Sequence, residues 1–242
     1  MANFLLVHGA WQGAWCWRDV TDALVRAGHR AHALTLTGLG ERSHLLRADI
    51  DLQTHITDVL NAIAAEELHH LVLVGHSYAG MLVTAVADRM PQRLSHLVYL
   101  DAVVPKPGES WSGTHSPATR QTRLAAAQAS PVFAFPPPDP SVFGLAGPQY
   151  EWVKRRQTPH PGHTYEAPLD FDVRRVAGIP RTFISCTAPA LATIDAIRPR
   201  VHSASFWDGA WLPGSRLVEM RTGHDPMISA PAELTQILLG CV

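Results

Sequence analysis

The run LVLVGHSYAGM at 71–81 sets a single aliphatic hydroxyl, that of Ser77, between small residues at the end of an apolar stretch. A serine on a sharp strand-to-helix turn presents its Oγ as a nucleophile, provided the residues flanking the turn are small enough for a strained backbone. Gly75 and Ala79 stand two positions either side of it. A hydroxyl attacks poorly unless an imidazole accepts its proton. Of the fourteen histidines, His224 in RTGHDPM (221–227) follows the last strand-like run, is preceded by glycine and comes after Ser77 in the chain. His8-Gly9-Ala10 closes the first apolar run, FLLVH. The backbone N–H groups of Ala10 and Tyr78 are therefore the expected donors to a developing oxyanion. His8 itself reads as a residue that shapes the loop.

The imidazole needs a carboxylate to orient it. Asp101 ends LVYLD (97–101), the next strand-like run after the one that carries Ser77. Neighbouring strands lie about 4.8 Å apart, so a carboxylate at that strand end can reach the histidine loop. The order Ser–Asp–His is also kept. Asp195, Glu219 and Asp225 remain the alternatives. Trp11, Cys16, Trp111, Phe133, Phe135 and Trp152 are candidates for an apolar substrate pocket, with Phe143 and Tyr150 in the same aromatic set. Part of that set is expected to be plain core. Cys16 reads as packing, not as a nucleophile. His160 and His163 read as a solvated loop, since no partnered cluster makes them half of a metal site. His69-His70 is expected to face water. No metal and no cofactor is expected.

These residues need a scaffold. Apolar runs at 4–8, 29–36, 71–75, 97–101, 182–185 and 217–220 are nearly continuous, as strands buried on both faces of a parallel sheet must be. Amphipathic stretches at 15–27, 52–67, 81–90 and 232–239 alternate with them. The expected architecture is an α/β fold, a mostly parallel sheet of about six strands flanked by helices. Residues 105–179 break the rhythm with much of the proline, including PVFAFPPPDP at 131–140, and no clear strand. A long irregular stretch of this kind reads as an inserted cap over a core made of 1–104 and 180–242. RLAAAQA (123–129) reads as a cap helix.

At 242 residues the chain can bury a full core without staples. Twenty basic and 21 acidic residues leave a net charge of −1, without the basic excess of a nucleic-acid binder. Apolar residues make up 46% and charged residues 17%, which excludes disorder. Three cysteines without a CxxC pair give neither a disulfide framework nor a zinc ribbon. MANFLLVHGAWQGAWCW lacks a basic leader, and no segment reaches the ~18 apolar residues of a membrane span. The expectation is a cytoplasmic protein acting on a small molecule, with no nucleic-acid or membrane partner and a homodimer left open.

FLLVHGAWQGAWCW, LTLTGLGERSH, VGHSYAGM, VYLDAVVP and GHDPM together resemble the α/β-hydrolase family over essentially the whole chain. More narrowly they are similar to its small single-cap branch of plant methylesterases, hydroxynitrile lyases and bacterial esterases. That branch includes carbamate hydrolases, among them one acting on the benzimidazole methylcarbamate carbendazim. The resemblance implies a serine hydrolase for a small, mostly apolar or aromatic ester, carbamate or activated amide. The chain departs from the branch where plant esterases carry a Cys-Thr-Glu-Asp acid site, reading Cys186-Thr187-Ala188-Pro189 instead. Gly9 and Asp225 stand where the lyases carry threonine and lysine, which counts against cyanohydrin cleavage. The alternatives to hydrolysis are a hydroxynitrile-lyase-type enzyme and a non-catalytic small-molecule receptor on the same fold.

Overall fold

The computed structural model describes residues 1–203 and 215–242. Six strands form one sheet: β1 (Asn3–Val7), β2 (Arg30–Leu34), β3 (Leu71–His76), β4 (Leu94–Leu100), β5 (Arg181–Cys186) and β6 (Arg216–Met220). Their spatial order is β6-β5-β4-β3-β1-β2 and every pairing is parallel. All six residues of β3 and of β5 are buried; β3 accordingly begins with the unbroken apolar run LVLV, whereas β5 buries Arg181, Thr182 and Ser185 as well. The chain leaves β1 for the edge strand β2 and returns on the other side of β1 as β3. That reversal puts the crevice between the carboxyl ends of β1 and β3, where ligands of open α/β sheets bind. Val7 and Gly75 are in register, so the loops holding Ala10 and Ser77 leave the sheet side by side.

Helices α1 (Arg18–Arg26), α2 (Leu52–Ala65) and α3 (Ala79–Arg89) follow the expected stretches, with α3 beginning two residues early. Asp51 caps α2, its carboxylate accepting from Thr54 N at 2.8 Å. The expectation of an amphipathic α3 is corrected: every residue from Ala79 to Ala87 is buried. The helix lies against β3 and β4 on one side and α2 on another, leaving it no wet face. Close approach there demands glycine. A Cβ on Gly75 would lie 2.7 Å from Val83 Cγ1, and one on Gly80 only 1.8 Å from the Val103 carbonyl oxygen.

Between β4 and β5 the chain forms α4 (Pro117–Gln128), α5 (Gly147–Lys154) and shorter turns. Two antiparallel pairings occur where no strand was expected, Glu109–Ser110 with Pro168–Leu169 and Ala134–Phe135 with His160–Pro161. Each is two residues long, too short to leave a period in the sequence. The last helix, α6 (Pro231–Leu239), packs against α1. Among the described residues no helix is long and apolar enough to cross a membrane.

Candidate active site

Ser77 follows β3 directly and holds φ +55°, a left-handed conformation that costs a non-glycine residue ~1–3 kcal/mol. Hydrogen bonds hold it there: its N–H donates to the Leu100 carbonyl at 3.1 Å, and its own carbonyl accepts from Gly80 N and Val103 N. Ser77 is the only residue from Leu71 to Ala87 that is not buried. The β1 loop is pressed against this turn. A Cβ on Gly9 would sit 2.9 Å from Ser77 Cβ and 2.8 Å from His76 Nδ1, so only glycine permits the contact. Among the described residues, neither Ala10 N–H nor Tyr78 N–H donates a hydrogen bond to a protein acceptor. His8 is buried, its Nε2 accepting from Leu36 N, and burial lowers its pKa to about 3. It is a neutral loop-former.

The loop after β6 brings His224 back toward the serine. Its Nδ1 lies 2.7 Å from Asp101 Oδ2. A carboxylate only accepts, so Nδ1 carries the proton and Nε2 keeps a free lone pair. Asp101 also sits at positive φ, +41°, anchored by its N–H on the Ile184 carbonyl at 2.7 Å. Its Oδ1 accepts from Cys186 N at 3.1 Å and from Arg198 Nη2 at 3.2 Å. The His224 N–H donates to the Phe143 carbonyl at 3.0 Å. The His224 ring lies against that of His76, with centroids 4.6 Å apart, which sets it beside the serine. No Ser77 Oγ–His224 hydrogen bond is formed among the described residues, and such contacts in ligand-free sites commonly tighten only around substrate.

The other carboxylates are elsewhere. Asp195 is exposed and pairs with Arg198. Glu219 is exposed on the edge strand β6. Asp225 is fully buried and accepts from Gln12 Nε2 at 3.0 Å, with burial pushing its pKa up to about 6. His76, His224 and Asp225 have ligand-type atoms within 4.8 Å of one another. His224 Nδ1 faces Asp101, and His76 Nε2 faces the His224 carbonyl at 2.9 Å. Both of those nitrogens are protonated donors, which leaves His224 Nε2 and His76 Nδ1 as the ring atoms that carry lone pairs.

Over the crevice, Trp11, Trp111 and Phe135 form one aromatic cluster with Tyr78, whose ring centroid is 4.8 Å from that of Trp111. The expectation for His160 is corrected: it is fully buried in this cluster and bonded to Thr164, while His163 is exposed. The rings around it, of Trp11, His55, Tyr78, Trp111 and Phe135, come from five separate segments, so sequence proximity gave no warning. Phe133 stands apart, stacked on His163 at 4.3 Å. Cys16 and Trp152 line a neighbouring cavity of about 250 Å³ with Pro148, Met227 and Ile228. Sequence reasoning missed Arg123, whose guanidinium lies 4.9 Å from the Trp111 ring centroid and 5.3 Å from that of Trp11. Its signal was a cation at the head of the alanine-rich run 123–129. His69 and His70 are exposed, as expected.

Residues 4–237 match the model of the alpha/beta hydrolase family, and the chain belongs to that family. It is 41% identical to the carbendazim hydrolyzing esterase of Nocardioides sp. (strain SG-4G), the alignment covering 98% of both chains. It is 26% identical to methylesterase 1 of Arabidopsis thaliana over 98% of this chain and 94% of that one. An extracellular alpha/beta-hydrolase from a Paenibacillus species superposes with a TM-score of 0.82 at 19% identity, covering 100% of this chain and 99% of the other. A variant of polyneuridine aldehyde esterase superposes at 0.75 and 22% identity, covering 98% of each. At those identities the structural likeness speaks for the fold.

Proposed function

We propose that this protein is a serine hydrolase that needs no cofactor and cleaves a small, mostly apolar or aromatic ester, carbamate or activated amide through an acyl-enzyme. The observation that carries the reading is the 2.7 Å contact of His224 Nδ1 with buried Asp101, beside a turn whose one unburied residue is Ser77. In this reading Ser77 Oγ attacks the carbonyl carbon while its proton passes to His224 Nε2. The Ala10 and Tyr78 N–H groups hold the resulting oxyanion. His224 then gives the proton to the leaving group, and water repeats the sequence on the acyl-enzyme. Asp101 fixes the imidazole tautomer and stabilises its charged form.

Residues 105–179 act as the cap, and Trp11, Trp111 and Phe135 supply flat apolar walls for a planar leaving group. The likeness to an esterase that hydrolyses carbendazim supports an aryl carbamate within that class. The three cysteines are buried and unpaired, which fits a reducing compartment, and we place the protein in the cytoplasm.

A substrate panel tests this. Aryl carbamates and small aryl or methyl esters should turn over, cyanohydrins should not, and a fluorophosphonate probe should leave one adduct, on Ser77, by peptide mass mapping. Cyanohydrin cleavage without ester hydrolysis would move the protein to the lyases. A well-folded protein that takes no probe and turns over nothing would make it a receptor.

A further inference from the structure

Three loops meet behind the serine through a second set of side chains. Gln12 stands two residues after Ala10, His76 immediately before Ser77, and Asp225 immediately after His224. All three are buried, with exposures of 2%, 1% and 0%. Gln12 Nε2 donates to Asp225 Oδ2 at 3.0 Å. His76 Nε2 bonds to the His224 carbonyl at 2.9 Å and so carries the ring proton, while Asp225 Oδ1, 3.5 Å from it, has no hydrogen-bond partner. His76 Nδ1 then has a lone pair with no partner. Burial holds the His76 pKa well below the ordinary value, so the ring is neutral.

The charge pattern is uneven. Two carboxylates flank His224. Asp101 shares its charge with the guanidinium of Arg198. Asp225 has no cationic partner among the described residues, since its one ion-pair contact is to a neutral ring. The thiols nearest to it, Cys16 and Cys186, are neutral as well, because burial raises both of their pKa values. An unpaired buried carboxylate is costly unless something uses its charge.

We infer that Asp225 is a positioning residue for this reaction: it ties the Gln12 loop to the His224 loop, and its buried charge stabilises the protonated His224 that forms during turnover. The inference rests on the serine-hydrolase reading. The distance is right for it, since the Asp225 carboxylate and a His224 ring nitrogen lie within 4.8 Å. The sign of the stability effect agrees too. Burial raises the folded-state pKa of Asp225 to about 6 from an ordinary value of 3.8. The folded state therefore binds the extra proton between those pH values, and stability falls as pH rises from about 4 through 6. At neutral pH the charge is kept at the expense of stability, which a purely structural aspartate would not require.

Asp225→Asn tests this with a nearly isosteric change. The new amide can accept from His76 with its oxygen and donate to Gln12 Oε1, an atom now without a partner, once the Gln12 amide flips. We expect kcat at pH 8 to fall about tenfold or more. The acid limb of kcat/KM should move to lower pH by roughly one unit, since an opposite charge at this range shifts titration by that order. The melting temperature at pH 8 should be unchanged or higher. A folded variant with the limb unmoved overturns the inference, whether or not kcat falls. The swap Gln12→Glu with Asp225→Asn carries the carboxylate across the same hydrogen bond and should return the limb to its wild-type position. If Asp225→Asn does not fold, the swap decides: a wild-type limb supports the inference and a displaced one overturns it. Ser77→Ala run alongside keeps the two readings separate. If it stays active the hydrolase reading fails, whereas an inactive Ser77→Ala with a wild-type-like Asp225→Asn sinks only this inference.

Discussion

Ser77→Ala should lower kcat by roughly 10⁴–10⁶-fold, the range seen when the nucleophile is removed from a serine hydrolase of another fold. The change deletes one oxygen and nothing that holds the turn. The bonds that fix it, from Ser77 N–H to Leu100 and from Gly80 and Val103 to the Ser77 carbonyl, are all backbone. Alanine and serine are similarly strained at φ +55°, so thermal stability should stay within a degree or two. Binding of a slow substrate or product analogue should persist, because the aromatic walls are untouched. Steady-state kinetics with calorimetric binding to the same variant checks both halves. Turnover within tenfold of wild type would end the serine-nucleophile reading.

Asp101→Asn should cut kcat by about 10³–10⁴-fold, by analogy with the corresponding change in a serine protease of unrelated fold. That is ~4–5.5 kcal/mol of transition-state stabilisation. The asparagine oxygen can keep the bonds from Cys186 N and Arg198 that Oδ1 now accepts. Its amide nitrogen then faces His224 Nδ1 as a donor and forces the opposite tautomer. Nε2 would carry the proton and could no longer receive one from Ser77. Asp195→Asn should cost less than threefold, since that side chain is exposed and, among the described residues, meets only Arg198. Rates should be compared below the melting range of each variant. If Asp101→Asn keeps more than a tenth of wild-type kcat while Asp195→Asn loses nearly all of it, the carboxylate has been misassigned.

The scaffold was legible because parallel strands covered on both faces leave unbroken apolar runs, and β3 is such a strand, while β5 was read from Phe183-Ile184 despite the buried Thr182 and Ser185 beside them. Ser77 and Ala10 were legible because their loops leave adjacent strand ends in a fixed register. Asp101 was reached by chain order and strand spacing, and the structure sets its carboxylate against His224. The second carboxylate was less legible. Asp225 could be listed as a rival acid, but its place between Gln12 and His76 depends on contacts 213 residues apart in the chain for one bond. The aromatic cluster was legible only in part. Trp111 and Phe135 carry obvious types, while His160 and Arg123 join them through folding of 105–179, where two-residue pairings leave no period to read.

Two contacts of that segment bear on how a substrate gets in. The backbone of residue 143 holds His224, and the N–H of Thr158 holds the Trp11 carbonyl at 3.0 Å. The segment is thus tethered to the base at one point and to the β1 loop at another. Swinging it away as a rigid flap would strip the His224 backbone N–H of its acceptor and loosen the Ala10 turn together, so an open flap would leave the base loop and the oxyanion loop less firmly held. A gate that leaves both tethers closed must move elsewhere. Helix α4 is an exposed candidate, since only Ala127 of its twelve residues is fully buried, and moving it lifts the Arg123 guanidinium off the Trp111 and Trp11 rings. Its amides should exchange with deuterium well before those of 143–165 under native conditions, and the reverse order would place the entrance at the tethers after all.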